Sequence, residues 1–143
     1  MLFRSHGVDE IALADTIGVA SPADVMERFA AVAAALPGIR LRAHFHNTRN
    51  TGIANAYAAI MAGVAVLDSS LGGIGGCPFA PAATGNIPTE DLVYMLNRMK
   101  IGTGIDLAAA IAAAGWLEGI IGRRNPAMLG RAGIFPPAAK AAA

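Results

Sequence analysis

The sequence predicts an α/β protein built from parallel βα units, and three observations support this. Short apolar runs alternate along the chain with longer segments whose apolar residues recur every three or four positions. Such alternation is typical of parallel strands joined by right-handed crossover helices. Polar residues stand at the ends of all three predicted strands, where ligands bind in folds of this kind.

The predicted order is strand, helix, strand, helix, strand, long loop, helix, helix. We expect the strands at residues 10–14, 39–46 and 64–67. The first helix should begin after Ser21, a good N-cap, with Pro22 at its first position. The other helices should start at Gly52, at a cap formed by Thr89, Glu90 and Asp91, and after Asp106. The last of them should bury Leu107, Ile111 and Trp116.

Three strands are too few for a closed parallel barrel, which needs eight strands and typically ~250 residues. The 143 residues leave two alternatives, a small open sheet or the later part of a barrel whose earlier part is absent. Within the chain we expect one domain over residues 1–125. A tail rich in Pro, Gly and Ala over residues 126–143 should be irregular.

Composition excludes several classes of partner. Eleven basic and 10 acidic residues give a net charge of +1, so neither nucleic acid nor an anionic membrane is expected as a partner. The one cysteine cannot form an internal disulfide, which suits a reducing compartment. The N-terminus lacks an apolar signal core, and no apolar run reaches the ~18 residues of a membrane span. We therefore expect a soluble cytoplasmic protein.

His44 and His46 are the first candidates for chemistry. A period of two places both imidazoles on one face of the second predicted strand, close enough to share a metal ion. Two histidines suit Zn, Mn, Fe or Co, and added oxygen ligands favour harder ions. The alternative is a pair of partly buried histidines with ordinary hydrogen-bond partners. His6 is predicted to lie at the surface.

A glycine-rich segment after the third strand is the second candidate, and we expect it to be a catalytic loop. Its single cysteine, Cys77, is presented on this loop and could act near a metal as a general acid or base. A small buried apolar role for Cys77 and Cys-His hydrolysis are the alternatives. The glycines lack a phosphate-loop pattern, so nucleotide binding is rejected. They are Gly72, Gly73, Gly75 and Gly76.

Three further polar residues have structural interpretations of equal or greater weight. Asp15 could cap a turn, and Asn86 could be an ordinary turn residue after a glycine. Asp68 could cap its strand end or hydrogen-bond to the two serines that follow it. Taken singly, none of the three indicates a site.

Taken together, these segments closely resemble the 3-hydroxy-3-methylglutaryl-CoA lyase family. The resemblance extends over roughly residues 8–125, and the Gly-Gly-Cys-Pro motif is its specific part. Isopropylmalate and homocitrate synthases, in the wider superfamily, share the His-x-His strand but generally lack this cysteine loop. The matching segments are 14–18, 44–48, 70–79, 84–86 and 89–93.

The resemblance implies a TIM (β/α)₈ barrel, of which this chain would supply the last three strands and the C-terminal helices. It implies a divalent cation, Mg or Mn, held by His44, His46 and Asn86. Cys77 and Asp15 would be catalytic, Cys77 in proton transfer and Asp15 in acid–base work, with Thr16 beside the substrate. The implied reaction is cleavage of 3-hydroxy-3-methylglutaryl-CoA, an acyl-CoA substrate, to acetyl-CoA and acetoacetate.

Some features depart from the family pattern. No segment matches the family's Arg-Asp strand, so we expect a C-terminal fragment that is weak or inactive alone. Asn47 stands where many relatives have an acidic residue, and Arg42 points into the barrel without an assigned role. The alternatives are a related acyl-CoA aldol-type synthase and a non-catalytic partial barrel. Association with a chain that supplies the missing strands, or with further copies of this chain, is the expected assembly.

Overall fold

The computed structural model describes residues 7–76 and 85–136. Strands β1 (Glu10–Asp15), β2 (Arg40–Phe45) and β3 (Val66–Asp68) form one parallel sheet in the order β1-β2-β3. The helices are α1 (Pro22–Ala35), α2 (Gly52–Met61), α3 (Thr89–Arg98), α4 (Leu107–Ile121) and α5 (Leu129–Ala132), with a 3₁₀ turn at Leu71–Gly73. The predicted alternation of parallel strands and helices is confirmed. The helix α5 lies in the segment predicted to be irregular.

The chain divides into two compact units. Of the described residues, the first unit contains 7–69, 75–76 and 85–87, and therefore the whole sheet with α1 and α2. The second contains 70–74 and 88–136, and therefore the 3₁₀ turn with α3, α4 and α5. Within the described ranges, no helix combines the length and the apolar character that a bilayer crossing requires.

The core of the first unit lies on one face of the sheet. Alternate residues of β2, Leu41, Ala43 and Phe45, are buried on that face. Helix α2 packs on β2 through small residues, which permit a close approach, and α1 packs on α2. The strand β3 starts two residues later than predicted because the Val64 N–H still bonds the Ala59 carbonyl of α2, at 3.0 Å.

The first two helices begin where the sequence predicts. Ser21 Oγ accepts the Asp24 N–H at 3.3 Å, and the Asp24 carboxylate accepts the Ser21 N–H at 2.9 Å. This reciprocal pair caps α1. At α2, Asn47 Oδ1 accepts the Gly52 N–H at 2.9 Å. Asn47, whose role the sequence leaves open, therefore caps this helix from the preceding turn.

The two carboxylates of the predicted α3 cap bind backbone groups outside that helix. Glu90 is fully buried and accepts the Gly72 N–H, with N–O distances of 3.0 and 3.2 Å. Asp91 accepts the N–H groups of Met128 and Leu129 at the start of α5. Both side chains satisfy backbone donors that are distant in sequence, which a local capping rule does not anticipate.

Asp106 caps α4 as predicted, because its Oδ1 accepts the Ala108 and Ala109 N–H groups at 2.8 and 3.1 Å. The predicted burial of Trp116 is wrong, since 65% of this residue is exposed. The buried positions of α4 are the small residues Ala110 and Ala114. The helix is apolar nearly all round, so its sequence does not indicate which face is buried. The segments that pack closely against α4 determine that face.

Gly72→Ala should destabilise the fold more than Gly122→Ala. Both glycines have positive φ, 67° and 66°, so both variants carry the left-handed cost of about 1 kcal/mol. A Cβ at Gly72 would also lie 2.7–2.9 Å from the Asn125 side chain, whereas one at Gly122 meets nothing within 4 Å. We expect about 1–3 kcal/mol of additional loss at Gly72. Urea unfolding measures both, and equal losses would contradict the packing of Asn125 on Gly72.

Glu90→Gln should change how stability depends on pH. Burial raises the pKa of Glu90 above its ordinary value of 4.5, against the opposing hydrogen bonds from its own and the Gly72 N–H. The folded state therefore holds this proton more tightly than the unfolded chain does. As pH rises from 4.5 through the raised pKa, the wild type should lose unfolding free energy relative to Glu90→Gln. Urea titrations at several pH values test this, and a difference that stays constant would contradict it.

Candidate active site

The two histidines lie together at the end of β2. Their ring centroids are 5.2 Å apart with an interplanar angle of 62°, so both rings can reach one ion. His46 is buried, with 4% of its surface exposed, while the His44 side chain is one-third exposed. The predicted common face of His44 and His46 is thus present.

A short antiparallel pairing places Asn86 next to His46. The Asn47 N–H bonds the Gly85 carbonyl at 2.9 Å, and the Ile87 N–H bonds the Phe45 carbonyl at 3.3 Å. His46 and Asn86 stand opposite each other between these bonds. In a pair flanked in this way the side chains lie on the same side and close together. The structure therefore brings all three predicted metal ligands into one place.

Gly75 leaves room for the Asn86 amide. Its φ is +106°, and a Cβ there would lie 2.8 Å from Asn86 Nδ2. A side chain at this position would displace the amide or strain the backbone. One glycine of the predicted catalytic loop therefore serves a candidate ligand directly.

The electrostatics at His46 favour the neutral imidazole. Burial lowers the pKa of His46 most, the neighbouring His44 lowers it further, and Asp15 opposes both effects. His46 Nδ1 is buried and has no hydrogen-bond partner in the structure. An unpartnered buried nitrogen on a neutral ring is what a metal ligand provides before an ion binds.

The candidate metal ligands among the described residues are imidazole and side-chain amide groups. Within residues 7–76 and 85–136, no group of three His, Cys, Asp or Glu side chains converges as a metal site. The candidate ligands are thus two imidazoles and one amide. This set fits a divalent ion, since imidazole and oxygen ligands bind such ions together.

A cluster of charged groups lies on the same sheet face as His44, and sequence reasoning missed it. Arg42 Nε donates to Asp68 Oδ1 at 2.8 Å, and Arg42 Nη1 lies 3.4 Å from Glu10 Oε1. Asp68 Oδ2 lies 3.4 Å from His44 Nδ1. The period of two was a signal for Arg42 alone, because Arg42 lies two residues before His44. The pairing of Asp68 with His44 depends on strand register, which local patterns do not encode.

Asp15 is engaged at the turn after β1. Its two carboxylate oxygens each accept one N–H, from Val19 and Ala20, both at 3.0 Å. In the sheet register Asp15 pairs with Phe45, so it belongs to the face of the sheet opposite to that of His44. Turn capping was one of the two interpretations of Asp15 from the sequence, and these contacts are present. Thr16 is exposed at the same strand end.

The predicted catalytic loop is only partly described. Gly72 and Gly73 are buried in the 3₁₀ turn Leu71–Gly73, and Gly76 is exposed. Cys77, the predicted proton-transfer residue, lies outside the described residues. The first two glycines thus serve local packing within the second unit.

The sequence of this chain is similar to those of known proteins. The HMGL-like family model matches residues 1–116. The (R)-citramalyl-CoA lyase of Chloroflexus aurantiacus is 50% identical over 131 residues, which are 91% of this chain and 41% of that protein. Hydroxymethylglutaryl-CoA lyase YngG of Bacillus subtilis is 45% identical over 120 residues, which are 84% of this chain and 40% of that protein.

Solved structures show the same relationship. An HMG-CoA lyase from A. baumannii, in complex with coenzyme A and 3-methylmalate, matches with a TM-score of 0.88 at 42% identity. The match covers 94% of this chain and 44% of that one, and it confirms the predicted parallel βα units of a TIM barrel. The chain spans about two-fifths of the length of these two lyases from C. aurantiacus and B. subtilis. It belongs to the HMGL-like family.

Proposed function

We propose that this chain carries the metal-binding part of a carbon–carbon lyase that cleaves 3-hydroxy-3-methylglutaryl-CoA to acetyl-CoA and acetoacetate. The observation that carries the proposal is the juxtaposition of His44, His46 and Asn86 at one strand end. The similarity to hydroxymethylglutaryl-CoA lyases supports the same substrate class.

His44, His46 and the amide of Asn86 would hold the divalent cation. A bound divalent cation acts as a Lewis acid that offsets negative charge developing on the substrate hydroxyl oxygen. Imidazole ligands are less suited to Mg than to Mn, so we propose Mn as the better probe of this site. Burial and the neighbouring His44 lower the pKa of His46, which favours the neutral ring that a metal ligand needs.

Proton transfer is the task of the remaining residues. Breaking the bond between the carbinol carbon and the thioester α-carbon leaves an enolate, which must gain a proton at that carbon. We propose that the Cys77 thiol delivers it, since a thiol is both acidic enough to donate and readily reprotonated.

Asp15 is our proposed second acid–base group. Each of its carboxylate oxygens accepts one backbone N–H. A carboxylate offers about four acceptor sites, so these bonds orient Asp15 and leave it able to accept a proton. Thr16, exposed beside it, is the proposed substrate contact.

A second candidate substrate is (R)-citramalyl-CoA. The 50% identity to a lyase of that name exceeds the 45% identity to the B. subtilis hydroxymethylglutaryl-CoA lyase. Both thioesters carry a tertiary hydroxyl on the carbon beyond the α-carbon, so the same residues could act on either. Incubation with each thioester, followed by chromatographic assay of acetyl-CoA, separates the two candidates.

Replacing either histidine should remove metal binding. We expect His44→Asn and His46→Asn each to weaken Mn²⁺ binding more than about 100-fold. Loss of a side chain that only supports a ligand lowers metal affinity by about 10–100-fold, and loss of the ligand itself should lower it further. Titration followed by electron paramagnetic resonance measures the free ion. His6→Asn is the matched control, at a residue outside the described ranges and predicted to be on the surface. Equal weakening in all three variants, or none, would contradict the proposed site.

Replacing the cysteine should slow catalysis without weakening metal binding. We expect Cys77→Ala to lower kcat by about 10²–10⁴-fold, the usual contribution of a general acid, and to leave Mn²⁺ affinity unchanged. The assay uses the chain itself and a chimera in which it replaces the matching 120 residues of the B. subtilis relative. Full activity in Cys77→Ala would favour an aldol-type synthase, and an inactive unsubstituted chimera would contradict the lyase proposal.

A further inference from the structure

We propose that Asp68, itself held by Arg42, is a positioning residue that sets the tautomer of His44 for metal binding. The proposal rests on the proposed role of His44 as a ligand. It also gives Arg42 a role, which sequence reasoning could not assign.

The three residues belong to two neighbouring strands and share one face. In the register of β2 and β3, Asp68 is the partner of His44, and Arg42 precedes His44 by two positions. Arg42 Nε donates to Asp68 Oδ1 at 2.8 Å, and the second oxygen of Asp68 lies 3.4 Å from His44 Nδ1. The two oxygens of one carboxylate therefore face different partners.

This arrangement favours one tautomer of the imidazole. A neutral imidazole carries its proton on one nitrogen, and the acceptor beside that nitrogen decides which. Asp68 Oδ2 lies 3.4 Å from Nδ1 and is an acceptor for a proton on that nitrogen, which would leave the lone pair on Nε2 for a ligand bond. A carboxylate behind a metal-binding histidine is the usual way in which proteins orient such a ring.

Arg42 keeps the carboxylate in place. Its guanidinium also reaches Glu10 Oε1 at 3.4 Å, so it connects residues of all three strands. The side chains of Arg42 and Asp68 are 41% and 26% exposed, and an ion pair so exposed adds little stability. The planar guanidinium of Arg42 binds two carboxylates at fixed angles, which suits a role in orienting Asp68 better than a role in stability.

Asp68→Asn is the main test. Arg42 should hold the amide oxygen at the Oδ1 position, which turns the NH₂ group toward His44 Nδ1 and moves the ring proton to Nε2. ¹⁵N NMR of the neutral ring, without metal, should therefore show a change from the Nδ1–H to the Nε2–H tautomer. Mn²⁺ affinity should fall by about 10–100-fold. An unchanged tautomer would overturn the proposal.

Arg42→Met tests the support of Asp68 and retains the carboxylate if Asp68→Asn fails to fold. We expect a mixed tautomer population and about a tenfold loss of Mn²⁺ affinity. Arg40→Met is the matched control, because the Arg40 side chain is 63% exposed and pairs with Glu10, at 3.5 Å. Equal effects of Arg42→Met and Arg40→Met would indicate general loss of charge and overturn the proposal.

The two proposals fail in different ways. Absence of Mn²⁺ binding by the unsubstituted chain would contradict the proposed metal site, while the tautomer measured by NMR still decides the role of Asp68. Normal Mn²⁺ binding with unchanged affinity in Asp68→Asn would refute the positioning role alone.

Discussion

The antiparallel pairing of residues 85–87 with the end of β2 is the constraint on which the candidate site depends. Two backbone hydrogen bonds create it, and they place Asn86 opposite His46. The same pairing buries Ile87 completely, and Ile87 Cγ2 would lie 2.5 Å from a Cβ at Gly52. A glycine is therefore required where α2 begins. The same pairing thus determines both how α2 packs and where Asn86 lies.

Polar side chains elsewhere in the first unit satisfy backbone groups at the strand ends. Asp15 accepts two N–H groups of the turn after β1, and Arg49 donates to the carbonyls of Ile17 and Gly18 at 3.0 Å. Asn55, which is fully buried, donates to the Ala20 carbonyl at 2.8 Å. These bonds order the turn after β1, whose Ile17 and Val19 side chains are exposed and cannot stabilise it by burial.

Features that depend on nearby residues could be predicted from the sequence. The starts of α1 and α4 follow from Ser21 and Asp106, because helix capping involves residues within one turn. The inward turn of Glu90 and the exposure of Trp116 could not be predicted, since each depends on which distant segment packs against the helix.

Local sequence patterns were enough to predict the order of the elements and the shared face of His44 and His46, because strand periodicity sets which side chains of one element point together. The folded chain was needed to show that Asn86 lies beside His46 and that Asp68 lies between Arg42 and His44. Those neighbours depend on strand register and on the path of a returning segment. Both are set by backbone pairing between residues far apart in the chain, which local patterns do not encode.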